Sequence, residues 1–270
     1  LFAIQTLGFR GEALPSIASV SSFSLITRPR NADTATEISV NGGKIIDVKE
    51  IGAPPGTMIE VRRLFYNTPA RRKFLKSVNT EMGHIADTMA AFALCRPDIH
   101  FKLIHNNKTI KHWPSAADAR QRVTDILGKD TRGHLHPVTH TDGDIIISGW
   151  ITAPHITRST SQKIYLFVNG RIIRDRGLQY ALFEGYRGRL VKGSFPLAAI
   201  FITLPFDRVD VNVHPTKSEV RFVDQKQLYN TLKAAVADTW AGAVAPPWEA
   251  AGTSETVYSK ASSSASGTPE

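Results

Sequence analysis

Across residues 35–48, Ile38 and Val40 alternate with polar neighbours up to Asn41-Gly42-Gly43, and Ile45, Ile46 and Val48 follow the turn. A period of two belongs to a strand, and paired glycines supply the positive φ angles of a tight turn, so this stretch is predicted to be a β-hairpin. On either side the same grammar continues. Residues 8–14 read as a loop, followed by a short helix and a strand through Phe23, Leu25 and Thr27. Pro54-Pro55-Gly56 is a second turn, and residues 57–61 form the next strand. Thr68-Pro69 predicts a helix start, with Thr as N-cap and Pro at the first helical position. Ile85, Met89, Phe92 and Ala93 then share a helical face that ends at Arg96-Pro97. Phe101, Leu103 and Ile110 predict a closing hairpin around Asn106-Asn107.

Periodicity breaks between Trp113 and Ala117, which sets an expected boundary near Ser115. Beyond it a helix is predicted over 119–127, strands over 145–151, 164–168, 197–204, 209–213 and 219–223, and a helix over 177–186. The last helix carries Leu228, Leu232, Ala235, Val236 and Trp240 at spacings of three and four, capped by Asp224. From residue 242 onward Pro, Ser, Thr, Ala and Gly dominate, a composition that predicts a disordered linker. The expected organisation is thus α+β, with domains over 1–115 and 116–241 and a linker over 242–270.

The chain has 270 residues, 42% hydrophobic and 21% charged, the composition of a globular protein. No apolar run approaches the roughly 18 residues that cross a bilayer. One cysteine, Cys95, excludes an internal disulfide and fits a reducing compartment, so a soluble, cytoplasmic protein is expected. The opening LFAIQTLGFRGEAL has neither an initiator Met nor a basic n-region, which predicts a cut chain without a signal peptide.

The net charge of +9 is segregated. Arg62, Arg63, Arg71, Arg72, Lys73 and Lys76 form one stretch without an acid. Residues 155–192 hold Arg158, Lys163, Arg171, Arg174, Arg176, Arg187, Arg189 and Lys192 against only Asp175 and Glu184. Each stretch carries a net +6, leaving −3 for the rest of the chain. Such segregation suits a polyphosphate-binding face.

Four segments carry candidate chemistry. In Gly8-Phe9-Arg10-Gly11-Glu12-Ala13-Leu14 two glycines precede a predicted helix; this is either a phosphate grip, built from exposed amides and a helix dipole, or simply a turn. Gly56-Thr57 opens a strand, where the hydroxyl could meet a purine edge or be structural. It leads to LFYNTPARRKF, whose basic residues read best as a solvated helix face. In VNGRIIRDR a strand ends in a turn that projects Arg171, Arg174 and Arg176; with Arg187, Arg189 and Lys192 these either line a DNA-phosphate groove or are scattered surface charge. The fourth segment, VDVNVHPTK, ends on Lys217, a cation suited to a γ-phosphate if it reaches a nucleotide site. His134, His136 and His140 lack companion ligands at metal spacing, so a loop-exposed role and no metal are expected. There is no Walker motif, no Gly-x-Ser-x-Gly elbow and no His-Glu-x-x-His.

In this order, GFRGEAL, LFYNTPARRKF, VNGR and VDVNVHPTK resemble the MutL family of DNA mismatch-repair proteins, and the resemblance runs from about Leu7 to Trp240. It implies the later part of an α/β-sandwich ATPase domain of the gyrase, heat-shock chaperone, histidine kinase and MutL type, followed by a ribosomal-protein-like α/β transducer that binds DNA. It also implies that Gly8 to Leu14 form an ATP lid, that Thr57 belongs to the adenine-side motif, and that Lys217 contacts the γ-phosphate. Arg176 and its neighbours would face DNA. Family members begin with a glutamate base, a magnesium-holding asparagine and an Asp-x-Gly-x-Gly motif; this sequence contains none of them. The implied cofactors are ATP and Mg2+, the latter held by a residue that this sequence lacks. The implied function is an ATP-dependent switch in mismatch repair: a slow ATPase at full length and inactive as this chain alone. Its expected partners are DNA, a mismatch-recognition protein, a downstream nuclease or helicase, and a second copy as homodimer, in a cytoplasmic, nucleoid-associated setting. The alternative is a non-catalytic DNA-binding adaptor that works through its arginines.

Overall fold

The computed structural model describes residues 11–210 and 221–241, and the expectations placed on 1–10, 211–220 and 242–270 lie outside the described residues. The chain divides into two compact units, residues 1–126 and 127–270.

In the first unit, α1 (Ala13–Ala18) leads into four strands: β1 (Ser22–Arg28), β2 (Ala35–Asn41), β3 (Lys44–Ile51) and β4 (Gly56–Arg62). They form an antiparallel sheet in the order β3-β2-β1-β4. The β2–β3 hairpin turns on Gly42 and Gly43 at φ +57° and +88°, which match the twist of the flanking strands. Register decides what each face carries. Phe23 lies opposite Val40 and Val61, Leu25 opposite Ile38 and Ile59, and Thr27 opposite Thr36 and Thr57. Because side chains alternate, these nine residues share one face, apolar along most of its length and ending in a row of threonines. Phe23 is buried, whereas Ile59 and Val61 are 45% and 42% exposed among the described residues.

The helical signal after Thr68 resolves into the single turn α2 (Pro69–Arg72) and the long α3 (Val78–Cys95). Thr68 makes no side-chain capping bond, whereas Ser77 accepts one from the Thr80 amide. Of the face expected from Ile85, Met89, Phe92 and Ala93, only Ala93 is buried. Ile85 and Phe92 are 44% and 42% exposed, and the buried residues are Ala90, Ala91, Ala93 and Leu94. The helix packs through the small residues of its last turns, which allow close backbone approach, so the spacing of its larger residues pointed elsewhere. A second hairpin follows, β5 (Phe101–His105) and β6 (Lys108–Trp113), turning on Asn106 and Asn107 at φ +48° and +60°.

Helix α4 (Ala119–Leu127) brings in Arg122, which is 1% exposed. Its Nη1 donates to the Ala93 carbonyl at 3.0 Å, and its Nη2 donates to the carbonyls of Pro97, Ile99 and Pro114 at 2.9, 3.0 and 2.5 Å. The guanidinium also lies 5.9 Å from the Phe101 ring centroid. One side chain thereby ties α4 to the end of α3 and to the β5–β6 region.

The second unit opens with β7 (Leu135–Asp142), β8 (Ile145–Thr152), β9 (Thr157–Arg158), β10 (Ile164–Val168) and β11 (Arg171–Ile173). It continues through α5 (Arg176–Gly185), β12 (Phe195–Pro196), β13 (Ala198–Thr203), β14 (Val209–Asp210), β15 (Arg221–Phe222) and α6 (Gln225–Ala241). Five strands form a mixed sheet in the order β11-β10-β13-β8-β7, parallel only between β10 and β13, which α5 connects. Helices α5 and α6 bury Leu178, Leu182, Leu228, Leu232, Val236 and Trp240 in one core with the inward residues of β8, β10 and β13. Strand β7 was not anticipated from sequence: its buried residues, Leu135 and Val138, flank a proline, which an edge position tolerates. Among the described residues no helix is long and apolar enough to cross a membrane.

Candidate functional site

Of the glycine loop, Gly8, Phe9 and Arg10 lie outside the described residues, as does Lys217. Gly11 adopts φ +65°, Glu12 precedes α1 without a side-chain capping bond, and Ala13 and Leu14 begin that six-residue helix. The far end of α1 is firmly held. The Gly43 amide donates to the Ala18 carbonyl and the Gly42 amide to the Ser21 carbonyl, both at 3.0 Å. The Phe65 amide donates to the Val20 carbonyl at 2.7 Å, and Asn67 Nδ2 donates to the Ser19 carbonyl at 2.9 Å. Phe65 and Arg63 reach these positions at φ +63° and +50°, a left-handed conformation uncommon for bulky residues. The LFYNTP loop thus anchors the helix that follows the glycine loop, a role that its basic residues did not signal.

Part of the first basic stretch is committed to structure. Arg62 pairs with Glu60 at 2.7 Å, and Arg63 donates to Ser22 Oγ at 2.8 Å while its guanidinium lies 5.4 Å from the Tyr66 ring centroid. Arg71, Arg72, Lys73 and Lys76 are exposed.

Thr57, the second residue of β4, belongs to the threonine row, and its Oγ1 lies 2.9 Å from Thr27 Oγ1. Thr27 carried no site role in the sequence reading. The cross-strand register that joins it to Thr57 spans 30 residues of chain. An apolar platform edged by hydroxyls fits a flat heteroaromatic ring, whose faces are apolar and whose rim hydrogen-bonds. The platform also separates its two ends: β1 runs about 17 Å, at about 3.3 Å per residue, from Ser22 beside the α1 anchor to Thr27.

In the second unit, Arg171 sits on β11, Arg174 follows it, and Arg176 begins α5; Arg187, Arg189 and Lys192 lie beyond the other end of that helix. The six cations therefore form two groups separated by the length of α5, about 15 Å at 1.5 Å per residue. Asn169, at φ +48°, fixes the preceding turn: its Nδ2 donates to the Leu204 carbonyl at 2.9 Å, and its Oδ1 accepts from the Leu204 amide at 3.1 Å. The two acids within the stretch are engaged elsewhere. Asp175 caps α5 by accepting from the Leu178 amide at 2.8 Å, and Glu184 pairs with Lys233 at 3.3 Å. Among the described residues Arg174, Arg176, Arg187, Arg189 and Lys192 have no acidic partner.

The three histidines are half-buried rather than exposed, and only His134 lies in a loop. His136 and His140 lie on β7; the His136 ring packs 4.8 Å from Trp240, and His140 Nδ1 is 3.2 Å from Asp238 Oδ2. His134 meets the His155 ring at 5.0 Å. These contacts use histidine as a packing residue, which explains the three positions without a ligand role. No group of three or more His, Cys, Asp or Glu able to hold a metal occurs among the described residues. Burial pushes the Cys95 thiol up to about 12, leaving it protonated and poorly nucleophilic at neutral pH.

Residues 123–241 match the family model described as DNA mismatch repair protein, C-terminal domain. The chain is 46% identical over 236 residues to DNA mismatch repair protein MutL of Geotalea uraniireducens, covering 87% of this chain and 39% of the relative. MutL of Geobacter sulfurreducens is likewise 46% identical, over 241 residues, with 88% and 39% covered. The chain thus spans about two fifths of the length of these relatives. Among solved structures, the Aquifex aeolicus MutL ATPase domain complexed with ADP aligns with TM-score 0.59 and 29% identity over 72% of each chain. The N-terminal domain of a DNA repair protein shares the fold with TM-score 0.74 at 22% identity, over 88% of this chain and 77% of that one. The fold is accordingly the α/β one of MutL ATPase domains. By these matches the chain belongs to the MutL family of DNA mismatch-repair proteins and corresponds to the N-terminal ATPase region of its bacterial members.

Proposed function

We propose that this region is an ATP-dependent switch that binds DNA and couples mismatch recognition to downstream strand incision and excision. The observation that carries the reading is the match to MutL ATPase regions, one of them solved with ADP. The apolar sheet face edged by Thr57 supports it, because it offers a base platform at one end of β1, while the anchored α1 stands at the other. Gly8 to Leu14 close over the polyphosphate, Thr57 meets the adenine, and Lys217 neutralises the γ-phosphate. The second unit is a transducer of ribosomal-protein-like βαβ type, and Arg171, Arg174, Arg176, Arg187, Arg189 and Lys192 hold the DNA backbone. ATP supplies the γ-phosphate whose presence or loss sets the state of the switch. Magnesium, when bound, would neutralise phosphate charge, and the residue that would hold it is not in this sequence. Hydrolysis likewise needs a base absent from this sequence, so the full-length protein is a slow ATPase, whereas this chain binds without turnover. The working assembly is a cytoplasmic homodimer that engages a mismatch-recognition protein and a nuclease or helicase.

The γ-phosphate assignment predicts that Lys217→Ala in the full-length protein weakens binding of ATP about tenfold and of ADP less than twofold, since only ATP carries the group that the ammonium would meet. Calorimetric titration with both nucleotides checks this; an equal loss for the two would remove Lys217 from the γ-phosphate.

A further inference from the structure

We propose that Thr27 is a positioning residue for the base end of the nucleotide site, fixing the direction of the Thr57 hydroxyl and with it the preference for adenine; the inference rests on reading Thr57 as a nucleotide contact. Three observations carry it. Thr27 and Thr57 are direct cross-strand partners in the β1–β4 register. Their Oγ1 atoms lie 2.9 Å apart, a hydrogen bond in which either can donate. Both belong to the threonine row that ends an otherwise apolar face, so a ring seated on Leu25, Ile38 and Ile59 would meet hydroxyls only along that edge.

A lone threonine hydroxyl rotates and serves donor or acceptor equally, so by itself it distinguishes a 6-amino purine from a 6-keto one poorly. As the donor to Thr27, the Thr57 hydroxyl loses that freedom. If Thr27 donates, the Thr57 hydroxyl keeps its proton and one lone pair and still meets either group; if Thr57 donates, only its lone pairs remain, aimed at an outside donor. With Thr57 as the donor to Thr27, only lone pairs face the base, so a base that presents an acceptor there leaves polar atoms unpaired, which is where discrimination by hydrogen bonding comes from. The stiff χ1 of both β-branched residues keeps the pair in place.

The test measures equilibrium binding of ATP and GTP to the full-length protein and its Thr27→Val, Thr27→Ser, Thr57→Val and Thr27→Val/Thr57→Val variants. Thr27→Val is expected to weaken ATP about three- to tenfold and GTP less than twofold, eroding the preference between them. Thr27→Ser, which keeps the hydroxyl, should restore the wild-type ratio, and the double variant should bind ATP no more weakly than Thr57→Val. Should valine perturb the strand, as a thermal melt would reveal, Thr27→Ala is the second hydroxyl-free variant. Wild-type ATP binding by Thr27→Val, equal losses for ATP and GTP, or failure of Thr27→Ser to restore the ratio would each overturn the inference while leaving Thr57 a contact. Normal ATP binding by Thr57→Val would remove Thr57 itself from the site, and the inference with it.

Discussion

Arg122 is the residue on which the first unit depends most visibly. A guanidinium buried without a carboxylate is costly, and burial holds its pKa below the usual arginine value. Four carbonyl acceptors offset that cost: Ala93 is one of the last carbonyls of α3, which lack helical donors, and Pro97, Ile99 and Pro114 lie on the chain beyond it. The planar fork of arginine reaches all four at once; an ammonium has three donors on a single atom and cannot span them. Arg122→Lys is therefore expected to destabilise the first unit by about 2–4 kcal/mol, from charge-assisted bonds lost and carbonyls left unpaired. Urea unfolding followed by circular dichroism reads this directly, and an unchanged midpoint would show that water satisfies these carbonyls. Nothing in the sequence distinguished Arg122 from the solvated arginines near it, because its acceptors are backbone atoms up to 29 residues away.

At the scale of elements, signals carried by local residues were read well, and those decided by partners distant in sequence were not. The turns at Gly42-Gly43 and Asn106-Asn107, the strands β4, β8 and β10, and the Asp224 cap, which accepts from the Gln227 amide at 2.8 Å, follow from φ preferences, alternation and capping chemistry. Of the packed face of α3 only Ala93 was anticipated, because alanines carry little periodic signal. Edge strand β7 was missed because Pro137 and its histidines hide the alternation. The Thr27–Thr57 pair was invisible because register belongs to the sheet. Gly185 shows the same limit. It reads as an ordinary helix-end glycine, yet a Cβ there would sit 2.5 Å from Val236 Cβ and 2.9 Å from the Lys233 carbonyl, so it sets how closely α5 and α6 pack. Gly185→Ala is expected to cost about 1–3 kcal/mol by overpacking, despite the better helix propensity of alanine. A raised thermal midpoint would mean that the helices move apart freely. Pairing the change with Val236→Ala should recover little of the loss, because alanine keeps the Cβ at 2.5 Å and the Lys233 carbonyl belongs to the backbone.

For the whole molecule the decisive property is how its positive charge is distributed. A net charge of +9 attracts any polyanion, so DNA binding alone would not distinguish a built surface from bulk attraction. The two basic stretches differ in arrangement. In the first, Arg62 and Arg63 are committed to Glu60 and Ser22, and the remaining cations lie on and after the single turn of α2. In the second, the cations flank α5 in two groups about 15 Å apart, roughly four base-pair steps along a duplex axis, while Asp175 and Glu184 are occupied by a helix cap and by Lys233. If the second stretch holds the phosphates, five or six contacts give a salt slope of about −5, and reversing one of them lowers its magnitude by about 1 to 2. Arg176→Glu and Arg71→Glu alter the net charge by the same amount, so bulk attraction predicts equal effects from both. The arrangement predicts unequal ones: Arg176→Glu weakens DNA binding about tenfold at low salt and flattens the slope, whereas Arg71→Glu stays within about twofold. Fluorescence anisotropy against a salt series measures both quantities for each variant. Equal losses would assign DNA binding to overall charge and leave α5 without a special part in it.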